Sequence, residues 1–125
     1  MNATLLVMAG GALGAAGRYH LGRLAFHLGG TGFPYGTLAA NLLGGLLMGV
    51  LVGFLARSDF VSEPWRLLLG VGLLGGFTTF SAFSLEVVNM VERGDWGLAV
   101  GYALVSVIGS VLALFAGLMA VRMVT

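Results

Sequence analysis

Phe80 and Phe83 lie three residues apart around Ser81, and Ser84 repeats the spacing one position on. All belong to the stretch Gly75-Gly76-Phe77-Thr78-Thr79-Phe80-Ser81-Ala82-Phe83-Ser84. On a helix, that spacing puts two rings on one face and two hydroxyls on the adjoining strip. An aromatic ring has a negative face and a positive edge, so edges turned into a narrow path favour an anion. Faces turned inward would favour a cation instead. The plainer reading is two phenylalanines packing against neighbouring helices. Further polar groups weigh against packing alone. Asn41 carries an amide with two donors, and Thr37 sits one turn earlier on the same helical face. Tyr102, Ser106 and Ser110 recur every four residues and predict one polar stripe on an otherwise apolar rod. Asparagine can instead bond a neighbouring helix, and serine can bond its own backbone.

A second chemistry is written into the same stretch. Gly75-Gly76 followed by Thr78-Thr79 weakens a helix, since glycine and β-branched threonine both support it poorly. Backbone that unwinds at membrane depth must be buried or line a cavity, where freed carbonyls can hold a cation. Alternatively the glycines only permit close packing and the helix runs through. Arg18 either snorkels to the interface or places positive charge at the mouth of a path, concentrating anions. Glu86 is the one acid well inside an apolar run, about five residues or ~7.5 Å from its end, which makes it a near-interface group. His20 and His27 have no acid or cysteine spaced for a metal site. Ser81 and Ser84 have no histidine, lysine or aspartate at matching depth to activate them, which argues against a hydrolase.

The elements that must position these groups follow from composition. The chain has 125 residues, 58% hydrophobic and 9% charged, with a mean hydropathy of +1.02. A soluble domain of this size needs far more charge at its surface, so the chain is expected to be an all-α integral membrane protein. There are no cysteines, which excludes disulfides and thiolate metal sites, and a net charge of +1 gives no reason to expect nucleic acid. The first seventeen residues hold no arginine or lysine, so they read as a mature helix and not as a signal peptide.

Four apolar blocks reach the ~20 residues needed to span a bilayer. They run over about residues 3–26, 34–56, 65–91 and 96–121, forming one domain over 1–125, with the third helix broken near Gly75–Thr79. Pro34 suits a first turn, Ser62 with Glu63 and Pro64 is a start signal, and Glu92-Arg93-Gly94-Asp95 is a tight turn. Trp65, Trp96 and Tyr35 fall at helix starts, where an aromatic belt belongs. Small-residue rows such as Gly10/Gly14, Gly45/Gly49/Gly53 and Gly109/Ala113/Gly117 predict close helix contacts, some of them with a partner subunit. With four spans, Arg57, Arg66 and Arg122 fall on one side and Arg18, Arg23 and Arg93 on the other. Such a balance gives no net instruction under the positive-inside rule. Insertion both ways up, and pairing of two copies as an antiparallel homodimer, is therefore expected.

These residues resemble the Fluc (CrcB) fluoride channels of bacteria over essentially the whole chain. The resemblance rests on Gly10-Gly11 through Arg18-Tyr19, on Gly36-Thr37-Leu38 with Asn41-Leu42-Leu43-Gly44, and on Gly75 to Ser81 with Phe83-Ser84 and Glu86. It implies a dual-topology antiparallel homodimer in the bacterial inner membrane, with two fluoride pores. It implies that Phe80 and Phe83 line the pores by their ring edges, with Asn41, Ser81, Tyr102 and Ser106 as polar lining. Thr37 and Ser110 join that set by their place on the same faces. Backbone carbonyls of Gly75 and Thr78 from both subunits would hold a structural sodium ion. Arg18 matches the family's basic residue on the first helix and Glu86 its acid, as vestibule or gating groups. The implied biology is that hydrogen fluoride enters, dissociates in a less acidic cytoplasm, and fluoride leaves by the channel. Ala82 departs from a threonine common at that position, with no assigned role affected. The rival reading is a small dual-topology proton-coupled drug exporter, which requires a titratable acid deep in the bundle; the deep polar residue here is Asn41.

Overall fold

A computed structural model of the chain describes residues 2–30, 32–57 and 63–125. The reading of Ser62 as a cap lies outside the described residues. Five helical elements and no strand occur among the described residues. Helix α1 is Ala3–Gly29; the Asn2 side chain caps it, accepting the Thr4 N–H at 2.7 Å. It stops at Gly30, whose φ of 74° lies in the left-handed region that glycine tolerates. Helix α2, Tyr35–Arg57, starts after Pro34, whose carbonyl accepts the Leu38 N–H. Helix α3 covers 63–77, α4 is Ser81–Glu92 and α5 is Trp96–Val124. The turn between α4 and α5 uses Gly94 at φ 86°.

One feature is not expected from the sequence, and the break expected near Gly75–Thr79 is placed more narrowly. Within α3 the segment Arg66–Leu74 is a π-helix, in which the Gly75 N–H reaches back five residues to the Gly70 carbonyl. The glycine pair itself stays helical, in the short turn Gly75–Phe77, and the break falls just after it at Thr78. Among the described residues, three stretches are long and apolar enough to cross a membrane: Tyr35–Arg57, Glu63–Glu92 and Trp96–Val124. Helix α1 has the length, 27 residues, but Arg18, His20, Arg23 and His27 make it the least apolar of the long helices.

Helix α2 lies along α5, and α1 along α3. Glycine decides both approaches. A Cβ built at Gly10 would stand 2.7 Å from the Leu73 backbone nitrogen, and one at Gly45 would stand 2.8 Å from the Ser110 carbonyl. Gly49 faces Leu114, Gly53 faces Val121 and Gly117 faces Leu46 in the same way. The residues of these rows named here are thus taken up inside the chain, where they let backbones meet. Where α4 folds onto α5, Phe83, Met90, Ala99 and Tyr102 form a buried cluster, with Phe33 and Leu38 against it.

Candidate functional site at the helix break

The break is built from three side chains. Thr78 is extended, at φ −85° and ψ 159°, so the helix cannot continue through it. Its N–H still closes the last turn on the Leu74 carbonyl at 3.0 Å. Next, Asn41 of α2 takes hold of Thr79 at two points. Its Oδ1 accepts the Thr79 N–H at 2.8 Å, and its Nδ2 donates to the Thr79 carbonyl at 2.9 Å. The Thr79 hydroxyl then accepts the Ala82 N–H at 3.1 Å, a capping bond that starts α4. From the other side, Arg18 Nε donates to the Gly76 carbonyl at 3.4 Å. The carbonyls of Gly75 and Thr78 accept no hydrogen bond from the described residues.

Beside the break is an open groove of about 550 Å³ between α2, the break and α5. Of the residues singled out in the sequence, Asn41, Gly75, Thr78, Phe80, Phe83, Ser106 and Ser110 all line it. The fold brings these residues to one place. The two phenylalanines, however, do not share an environment. Phe80 precedes the first residue of α4 and is 75% exposed at the rim, whereas Phe83 is 8% exposed. Their ring centroids are 5.6 Å apart, tilted by 45°. Ser106 is buried on the groove wall, and its Oγ has no hydrogen-bond partner among the described residues. Ser81 lies outside the groove and is exposed, its Oγ 3.3 Å from the Thr79 Oγ1.

A second polar cluster adjoins the groove through Phe83, whose ring lies 5.2 Å from that of Tyr102. The Tyr102 hydroxyl donates to Glu86 Oε1 at 3.0 Å, and the Thr37 hydroxyl donates to Glu86 Oε2 at 2.9 Å. Glu86 is thus no isolated interfacial acid: it holds α2 and α5 to α4. Thr37 also lines two open grooves at this end. One, about 330 Å³, includes Glu86, Asn89 and Arg93. The other, about 460 Å³, includes Arg18, Arg23 and His27 and no acid. Arg18 therefore stands both at a basic mouth and against the break.

Among the described residues the groove is lined by amide, hydroxyl, aromatic and aliphatic groups and by no titratable side chain; Glu86 lies outside it, bonded to Tyr102. Such a set can carry a desolvated anion by donors and ring edges, and it supplies no nucleophile with a base. Gly44, Gly45, Met48 and Thr79 also line it and were not singled out as lining residues. Gly44 was within reach of sequence reasoning, since it sits three residues after Asn41 on the same face. A Cβ there would meet the Thr78 methyl.

The family model described as CrcB-like protein, Camphor Resistance (CrcB), matches residues 5–118. A protein of Phenylobacterium zucineum named fluoride-specific ion channel FluC is 61% identical over 99% of this chain and 98% of its own length. Proteins of the same name from Novosphingobium aromaticivorans and Caulobacter sp. (strain K31) are 56% and 54% identical, each over 98% of this chain and 98% and 96% of their own lengths. The chain belongs to the CrcB family. Every groove residue, together with Arg18, Thr37, Glu86 and Tyr102, lies inside the segment that the CrcB model matches. The CrcB match also runs through all five helical elements, so the helix break is part of the family-matched chain and not an appendage to it.

Proposed function

We propose that the chain is a fluoride channel that lets fluoride leave the bacterial cytoplasm passively, across the inner membrane, as an antiparallel homodimer with two paths. The observation that carries the reading is the groove: Asn41, Phe80, Phe83, Ser106 and Ser110 converge there, in a chain whose near full-length relatives are named fluoride-specific ion channels. Fluoride is strongly hydrated, so a narrow path must replace water with donors. The free Nδ2 hydrogen of Asn41 and the hydroxyls of Ser106 and Ser110 can do so in succession, and ring edges add a weak positive field. Thr37, Tyr102 and Ser81 extend the donor series at its ends. No arginine lies in the groove, which suits conduction, since strong single-site binding would trap the ion. Arg18 and Arg23 at the basic mouth raise the local anion concentration.

Two further parts of the proposal rest on what one chain leaves incomplete. Helix α1 is read as a fourth span, its arginines near one interface, so that both termini share a side. Phe80 and the groove open outward from the chain and take a second, inverted copy as their cover. The Gly75 and Thr78 carbonyls suit a structural sodium ion, because each is an uncharged oxygen with no hydrogen bond from the described residues. One chain offers two such oxygens and a pair offers four. Bound there, the ion would tie the copies together and place a fixed positive charge between the paths. A proton-coupled drug exporter is not favoured, since the acid nearest the groove, Glu86, is already held by two hydroxyls. The relatives are named as ion channels, and no chemical step is assigned. Fluoride efflux from liposomes containing the purified protein, with chloride as control, tests the reading. Rapid fluoride loss with little chloride loss is expected; equal permeability or no flux overturns it.

A further inference from the structure

We infer that Asn41 and the Thr79 hydroxyl are positioning residues that keep the Gly75 and Thr78 carbonyls free for a cation. The argument is one of competition for donors. In an uninterrupted helix the N–H of residue i bonds the carbonyl of residue i−4. The Thr79 N–H would then close on Gly75, and the Ala82 N–H on Thr78. Both donors are diverted. Asn41 Oδ1 takes the Thr79 N–H at 2.8 Å, and Thr79 Oγ1 takes the Ala82 N–H at 3.1 Å. The two carbonyls so deprived are the two that the proposed sodium site uses. Asn41 also holds the Thr79 carbonyl through Nδ2 at 2.9 Å, so the residue cannot rotate to reach its helical acceptor without losing two bonds. Because Asn41 lines the groove as well, one amide joins the cation carbonyls to the anion path.

This rests on the proposed cation site, and the experiment separates the two. Purified protein in detergent is unfolded by heat while sodium replaces choline at constant ionic strength. The wild-type midpoint is expected to rise with sodium to saturation. Removing one captured donor restores a competing backbone bond, so Thr79→Val and Asn41→Leu should each raise the half-saturating sodium concentration about tenfold. Thr79→Ser keeps the hydroxyl and should saturate at the wild-type sodium concentration. Ser110→Ala, a groove change away from the break, should slow fluoride flux and leave the sodium response alone. No sodium response in the wild type overturns the cation site and this inference together. A wild-type response that Thr79→Val and Asn41→Leu share unchanged overturns this inference only. If those variants do not fold, hydrogen exchange on the wild type decides: the Thr79 amide should exchange several-fold more slowly in sodium than in choline. Equal exchange rates overturn the coupling.

Discussion

A buried hydroxyl with nothing to bond is costly, by about 1–3 kcal/mol, and folded proteins retain few of them. Among the described residues Ser106 is such a group, on the wall of the groove. A role in packing would be served better by alanine, so Ser106→Ala separates structure from transport. The variant should unfold at the same temperature as the wild type or higher, gaining up to about 1 kcal/mol, while fluoride efflux falls. Reduced stability with undiminished efflux would mean that the hydroxyl is structural. Phe80 poses the opposite case. Its ring is largely exposed in one chain, so it contributes little to the packing of that chain. Phe80→Ile keeps an apolar surface and removes the positive ring edge. With an edge contact worth about 1 kcal/mol, efflux should fall roughly fivefold or more, and size-exclusion chromatography should show unchanged assembly. Equal efflux would reduce the ring to filler.

At the scale of the helices, what was legible follows from what is local. Pro34 and the Glu92-Arg93-Gly94-Asp95 turn marked element ends because caps and turns are set by a few adjacent residues. Thr78-Thr79 marked the break for the same reason. The π-helix over Arg66–Leu74 was not legible, since no residue type signals an extra residue per turn. Nor were the Asn41–Thr79 clamp and the Thr37–Glu86–Tyr102 cluster, whose partners lie 16 to 49 residues apart. Periodicity placed each residue on a face; only the packing of α2, α4 and α5 decided which faces meet. The glycine rows show the same limit. Their spacing announced close contact, but not whether the neighbour belongs to the same chain. Gly49→Ala would push a methyl into the Leu114 carbonyl of α5 and should cost about 1–3 kcal/mol of stability. Gly97→Ala meets open space and should be neutral or gain up to about 1 kcal/mol from helix propensity. Thermal unfolding in detergent compares the two, and equal losses would mean that α2 and α5 can separate to admit a side chain.

For the whole molecule, the balance of arginines matters most. All six basic residues are arginines, and none of the described loops carries a cluster large enough to fix an orientation. The inverted pair proposed above needs both orientations in one membrane, and if α1 spans as proposed, three arginines fall on each side and leave the chain free to supply them. The absence of any native cysteine makes the test direct. Glu92 is exposed at the end of α4, beside the turn into α5, and makes no hydrogen bond through its side chain among the described contacts. Glu92→Cys should leave packing intact and report the side on which that turn emerges. Treated with a membrane-impermeant maleimide on intact cells, about half of the protein should be labelled, the fraction expected when insertion has no charge bias. The remainder should label only after the membrane is opened. Adding two arginines at the C-terminus, beyond Arg122, should tip the balance and lower efflux, because an excess of one orientation leaves copies without an inverted partner. Complete labelling from outside, or none, would mean a single orientation and would remove the antiparallel pair on which two paths and a shared cation site depend.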